Sequence, residues 1–133
     1  MNLLFADTFY FLALLHRDDA AHERARTVSK ELTDPILTTA WVLTEMADAL
    51  AAQRLRQTFS RLIETLRFDP NCTIAPPTQA LFDEGLKLYV ERPDKDWTLT
   101  GCISFLVMWQ HGITQALTGD RHFEQAGFTA LLR

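Results

Sequence analysis

The chain is 133 residues long, 47% hydrophobic and 23% charged, with a formal net charge of −4. That length suits a single domain, here residues 1–133, burying about two-thirds of its unfolded surface without disulfide or metal staples. The composition excludes a disordered, collagen-like or coiled-coil chain, and the acidic balance excludes a protein that coats nucleic acid by bulk charge.

Residues 2–7 form a short apolar run ending in Asp7, which predicts a buried strand. The longer stretch 3–15 is apolar enough to pass for a signal-peptide core. It lacks a basic leader, carries Asp7 and is too short to cross a bilayer, so no membrane segment is expected. Thr8 is placed to cap a helix through Phe9, Leu12, Ala13 and Leu15. A second helix is expected from Asp18 or Asp19, with Ala21, Ala25, Val28 and Leu32 at helical spacing. Residues 35–39 read as the second strand. Residues 40–55 follow as one long helix carrying Trp41, Glu45 and Asp48, and residues 58–68 as another. The third strand is 72–75, stopped by Pro76 and Pro77. Residues 78–89 read as a helix with Leu81, Leu86 and Leu88 or Tyr89 facing inward. After a charged loop over 91–96, residues 99–111 form a helix apolar enough to be central. A fourth strand over 115–118 ends at Gly119 and Asp120, and a last short strand is expected within 127–132.

Strands alternating with helices imply crossover connections and a parallel sheet covered on both faces. The expected class is therefore α/β: a three-layer α/β/α domain with a central, mainly parallel sheet of four to five strands. In such sheets the functional crevice lies beyond the carboxyl ends of the strands. That rule singles out Asp7, Thr38 with Thr39, and Asp120.

Each acid has an ordinary reading: Asp7 as a helix cap, Glu45 as a partly exposed surface residue, Asp120 as a turn or helix-cap residue. Gathered in one crevice they would repel one another and some would protonate, unless a cation neutralised them. Hard cations such as Mg²⁺ and Mn²⁺ prefer carboxylate and water oxygens, and can activate water against a phosphodiester. Other chemistries find little support. No G-x-S-x-G elbow, H-E-x-x-H pattern, G-x-G-x-x-G turn or Walker loop occurs. His16 and His22 read as surface histidines. Cys72 and Cys102 lack metal-ligand spacing and fit a reduced, cytoplasmic chain.

Four segments in order carry a resemblance. They are Leu4-Phe5-Ala6-Asp7-Thr8, Thr38-Thr39-Ala40-Trp41-Val42-Leu43-Thr44-Glu45, Asp96-Trp97-Thr98-Leu99-Thr100 and Leu117-Thr118-Gly119-Asp120-Arg121-His122-Phe123. Together they resemble the PIN-domain family, most closely its VapC-type toxin branch, over nearly the whole chain. The resemblance implies an α/β/α fold and a Mg²⁺- or Mn²⁺-dependent ribonuclease. In the toxin branch it also implies homodimers and inhibition by a small antitoxin protein. It makes Asp7, Glu45 and Asp120 acidic metal-site residues, with Thr8 and Thr118 as supporting or water-holding hydroxyls.

One position departs from the family pattern. Where a further acid of the metal site is expected, this chain has Gly101. Thr98 is a good N-cap, which makes Gly101 the third residue of the following helix. An acid there would gain from the helix dipole and could close a capping box. Asp96, or Asp94, is left as the acid to complete the set, against the reading of each as a solvated loop charge. Losing a metal ligand should reduce affinity at least as much as the roughly 10–100-fold seen when supporting residues are lost.

Arg54, Arg56, Arg61 and Arg67 share one helical stretch, with Arg24, Arg26 and Lys30 elsewhere; they form either a solvated face or a phosphate-binding surface. Phe9, Tyr10, Phe11 and Phe59 are core by default, with a dimer face or antitoxin groove as the alternative. The expected function is a metal-dependent endoribonuclease of toxin–antitoxin type, impaired by Gly101, that hydrolyses phosphodiesters with metal-activated water. The alternative is a catalytically inactive PIN-like protein that binds RNA or an antitoxin. A phosphoacceptor receiver domain fits less well: it needs an acid pair after the first strand and a late Lys. This chain has a lone Asp7 there and no Lys after Lys95.

Overall fold

Short apolar runs bounded by turn residues become strands, and the amphipathic stretches between them become helices. The computed structural model describes residues 2–133. In chain order these residues form β1 (Leu4–Ala6), α1 (Thr8–Leu15), α2 (His22–Glu31), β2 (Ile36–Thr39), α3 (Ala40–Ala49) and α4 (Gln53–Phe68). There follow β3 (Cys72–Ala75), α5 (Gln79–Glu91), α6 (Leu99–Gln110), β4 (Gln115–Leu117), α7 (Arg121–Gln125) and β5 (Thr129–Ala130). The five strands make one sheet in the order β3-β2-β1-β4-β5, and every pairing is parallel. This is the expected three-layer α/β/α arrangement. The chain runs from β1 outward to β2 and β3, then returns to place β4 on the other side of β1. That reversal of winding opens a crevice at the carboxyl ends of β1 and β4.

The core lies against the middle of the sheet. All three residues of β1 are buried, as a strand covered on both faces must be. Helix α6 is the central helix: Cys102, Ile103, Phe105, Val107 and Met108 are fully buried. Burying one such large side chain contributes about 1.5–3 kcal/mol. The Phe105 ring meets Trp97 and Phe123 edge-on, each at 5.0 Å between centroids. The start of α6 and the start of α7 are thereby clamped to one another. No helix among the described residues is long and apolar enough to cross a membrane.

Several boundaries differ from expectation for identifiable reasons. Helix α1 is capped at Asp7, and Thr8 is its first residue. Helix α2 starts at His22, because the Asp19 side chain accepts from the Ala21 N–H at 2.8 Å and forms a turn instead. The helix expected over 40–55 ends at Ala49, and α4 begins at Gln53 rather than near residue 58. Leu50 is buried at the break, and its N–H bonds back to the Met46 and Ala47 carbonyls. The freed Ala51 carbonyl accepts from Arg56 Nε at 2.8 Å. In α5 the inward stripe is Leu81, Gly85 and Leu88, while Leu86 and Tyr89 are exposed. Gly85 packs so closely on Ile103 that an added Cβ would overlap that side chain, and this contact sets the rotation of the helix. A short helix, α7, over 121–125 was not expected, but Asp120 caps it as one of its two ordinary readings has it.

Candidate active site

Four helices and two strand ends meet at the crevice, and each contributes through its local chemistry. The pocket has a volume of about 420 Å³, and its lining includes Asp7, Glu45 and Asp120. Asp7 holds the N-cap position of α1 in extended conformation, yet its side chain makes no capping bond. Its Oδ2 instead accepts a hydrogen bond from Thr118 Oγ1 at 2.8 Å. Thr118 Oγ1 in turn accepts from the Asp120 backbone N–H at 3.1 Å. One hydroxyl therefore ties the ends of β1 and β4 together and sets the two acids relative to each other.

Burial pushes the Asp7 carboxyl up from 3.8 to about 6, and the nearby charges of Asp120 and Glu45 push the same way. The hydrogen bonds from Thr118 and from the Thr8 backbone oppose that rise without cancelling it. A positive charge beside such a carboxyl would favour its ionised form. Asp120 is more open. Its Oδ1 accepts from the His122 N–H at 2.9 Å, capping α7, and lies 3.3 Å from His122 Nδ1. Glu45 is half-buried on α3, the helix started by Thr39, whose hydroxyl accepts from the Val42 N–H at 3.1 Å. Thr38 donates to the Ala6 carbonyl at 2.8 Å and locks β2 beside β1.

Thr8 lines the same pocket and is only 6% exposed, yet its hydroxyl has no protein partner. A buried polar atom left unpaired costs about 1–3 kcal/mol. Gly101 lies on the α6 side of the pocket. Thr98 caps α6, its Oγ1 accepting from the Gly101 N–H at 2.9 Å. A Cβ built on Gly101 would stand 3.2 Å from Thr98 Oγ1 and 3.9 Å from Phe105 Cζ. A side chain there needs a neighbour to give by only a few tenths of an ångström.

Asp96 and Asp94 are not brought to this pocket. Asp96 is exposed and lines a neighbouring cavity beside Lys95 and Trp97. Asp94 is held by Arg92 through two contacts of 3.0 Å, which keeps its carboxyl below the usual range. Sequence reasoning gave no site role to Phe9, Thr100, Arg121 and Arg133, which also line the acidic pocket. Only Arg121 carried a signal, its place directly after Asp120.

The donors are of the right kind for a hard cation: carboxylate oxygens plus a free hydroxyl. They are too few, and too spread, to form a ready cage. Among the described residues no three His, Cys, Asp or Glu side chains stand grouped for one ion. The ligand set does not fit a complete divalent-metal site, and the glycine at position 101 is the corner without a donor.

A family model described as PIN domain matches residues 4–129. No curated protein matches the chain. Among solved structures, VapC20 of Mycobacterium tuberculosis, described as a sarcin-ricin loop cleaving toxin, is similar with a TM-score of 0.86 and 23% identity. That likeness covers 95% of this chain and 96% of VapC20. FitAcB from Neisseria gonorrhoeae is similar with a TM-score of 0.66 and 18% identity, over 96% of this chain and 94% of its own. Both likenesses are of the fold.

Proposed function

The chain belongs to the PIN domain family, and on that premise we propose that it is an endoribonuclease of toxin–antitoxin type whose turnover is curtailed by Gly101. The observation that carries the proposal is the position of Gly101. It faces the same pocket as Asp7, Glu45 and Asp120 on a capped, well-packed helix start. A divalent Mg²⁺ or Mn²⁺ ion, were one held there, would supply charge neutralisation and an acidified water. Asp7, Glu45 and Asp120 are the donors that remain for it. Thr118 orients Asp7, and Thr8 is the second supporting hydroxyl beside it. With the ligand set short at residue 101, no hydrolytic step is assigned to the chain as it stands.

Partners follow from the same reading. RNA is the substrate class, a small antitoxin protein the inhibitor, a second copy of the chain the companion in a homodimer, and the cytoplasm the compartment.

The test compares the chain with its Gly101→Asp variant in a Mn²⁺-dependent RNA cleavage assay, with the sarcin-ricin loop among the RNAs supplied. Cleavage by the variant alone is expected. Equal cleavage by both would show that another group completes the site. The same glycine favours a second reading, a binding protein without catalysis. No cleavage by either folded protein, with RNA or antitoxin still bound, would support it.

A further inference from the structure

A pocket lined by three carboxylates repels a polyanion, so any RNA that enters it must be held by cations at its edge. Two basic side chains line the pocket, Arg121 and Arg133. Arg133 is already engaged, its Nε standing 2.6 Å from Glu124 Oε1. Arg121 is exposed, and among the described residues no carboxylate stands within ion-pair distance of it. Its backbone is also fixed. It is the first residue of α7, directly after Asp120, whose side chain caps that helix and whose N–H is held by Thr118.

We propose that Arg121 is the phosphate-holding residue of this pocket. Its guanidinium grips a phosphodiester of RNA at the edge of the pocket. A planar fork of donors matches a phosphate in two-point contact, which a lone ammonium cannot do. The contact positions the backbone and reads no base. It is independent of residue 101, so this chain binds RNA even where it cuts none. The proposal rests on RNA being the pocket's substrate.

The test is fluorescence anisotropy with a labelled, mixed-sequence single-stranded RNA in Mg²⁺ buffer, with the RNA shown intact afterwards on a gel. The proteins are the full chain, Arg121→Ala, Arg121→Lys and Arg17→Ala. Arg17 lines a separate pocket with His22 and Arg26, and serves as the control for bulk charge. Arg121→Ala should weaken binding by about tenfold, the loss expected for a hydrogen bond to a charged group. It should also flatten the dependence of log Kd on log salt by about 0.7, one single-strand phosphate contact. Arg121→Lys should restore the slope but only part of the affinity, and Arg17→Ala should bind like the parent. The proposal is overturned if the parent binds RNA and Arg121→Ala binds as well, or if Arg121→Ala and Arg17→Ala lose affinity equally. If the parent itself binds no RNA, the substrate reading falls and this inference with it. Circular dichroism confirms folding of each variant, and Arg121 is exposed enough for none to be disturbed.

Discussion

On the β1–β4 side of the pocket, Thr118 donates to Asp7 at 2.8 Å and accepts from the Asp120 backbone at 3.1 Å. On the α6 side, Thr98 accepts from the Gly101 N–H at 2.9 Å, and no side chain follows. Both sides use a threonine hydroxyl to settle a chain end. On the first, that bond spans 111 residues of sequence and fixes two acids. On the second it is local and fixes only a helix start. The cap, the Trp97–Phe105 contact and the buried face of α6 are all in place without an acid at position 101. The acid of that corner is thus separable from folding, whereas Asp7 and Asp120 are built into the way the sheet closes.

The largest effect should come from the wired side. Asp7 keeps its proton up to about pH 6 in the folded chain, against an ordinary 3.8. Between those values the native state binds more protons than the unfolded one, so stability falls as pH rises through the window. The contribution is fully present below 3.8 and lost above 6, a difference of about 3 kcal/mol. Asp7→Asn keeps an acceptor for Thr118 and removes the titration. In the absence of metal it should be more stable than the parent at neutral pH, by up to about 3 kcal/mol, with a flatter profile from pH 4 to 6. Urea unfolding at several pH values checks this; parallel profiles for both proteins would break the contrast between a strained, buried acid and an open corner.

The open side should respond to a restored ligand. Calorimetric titration with Mn²⁺ should find Gly101→Asp binding at least about 10–100-fold tighter than the parent. Tight Mn²⁺ binding by the parent, abolished by Asp7→Asn, would mean that three acids suffice and the α6 corner is dispensable. Next in size is the other glycine of the pocket. A Cβ on Gly119 would meet the Phe9 ring at 2.5 Å. Gly119→Ala should therefore destabilise by about 1–3 kcal/mol, as overpacking does. Thermal unfolding measures it, and an unchanged midpoint would show that Phe9 yields freely.

The wired side is also the less legible of the two from sequence. Strands β1 to β4 are readable because each is a short apolar run between turn residues. The acids at their ends follow from where parallel sheets keep their crevices. The bond from Thr118 to Asp7 joins residues far apart in sequence, and no local pattern announces it. It also decides a local question: Asp7 sits where a cap belongs, but its carboxylate is taken by Thr118. The α3–α4 break is unreadable for a different reason. The stretch Ala49-Leu50-Ala51-Ala52-Gln53 favours helix throughout, and only the burial of Leu50 ends α3. In α5 the periodicity permitted Leu86 as a core residue. The close approach of Gly85 to Ile103 turns it outward, a fact of packing between helices. By contrast, the α6 side is local, and the Thr98 cap with Gly101 at its third position is visible in four consecutive residues.

The smallest expected effect separates the two glycines most directly. Gly101→Ala adds one methyl group at a helix position of negative φ, with its nearest neighbour, Thr98 Oγ1, at 3.2 Å. The only conflict is with a hydroxyl already bonded to the same residue's N–H, and it is relieved by a slight rotation of Thr98. Against that stands the conformational freedom a glycine loses in a helix, about 0.5–1 kcal/mol relative to alanine. The balance should be a gain of up to that size, measured as a rise in the urea midpoint at unchanged slope, with RNA cleavage still absent. A loss of stability as large as that of Gly119→Ala would show that Thr98 cannot move. The α6 corner would then demand glycine for packing rather than merely tolerate it, and its missing acid would have a structural cause.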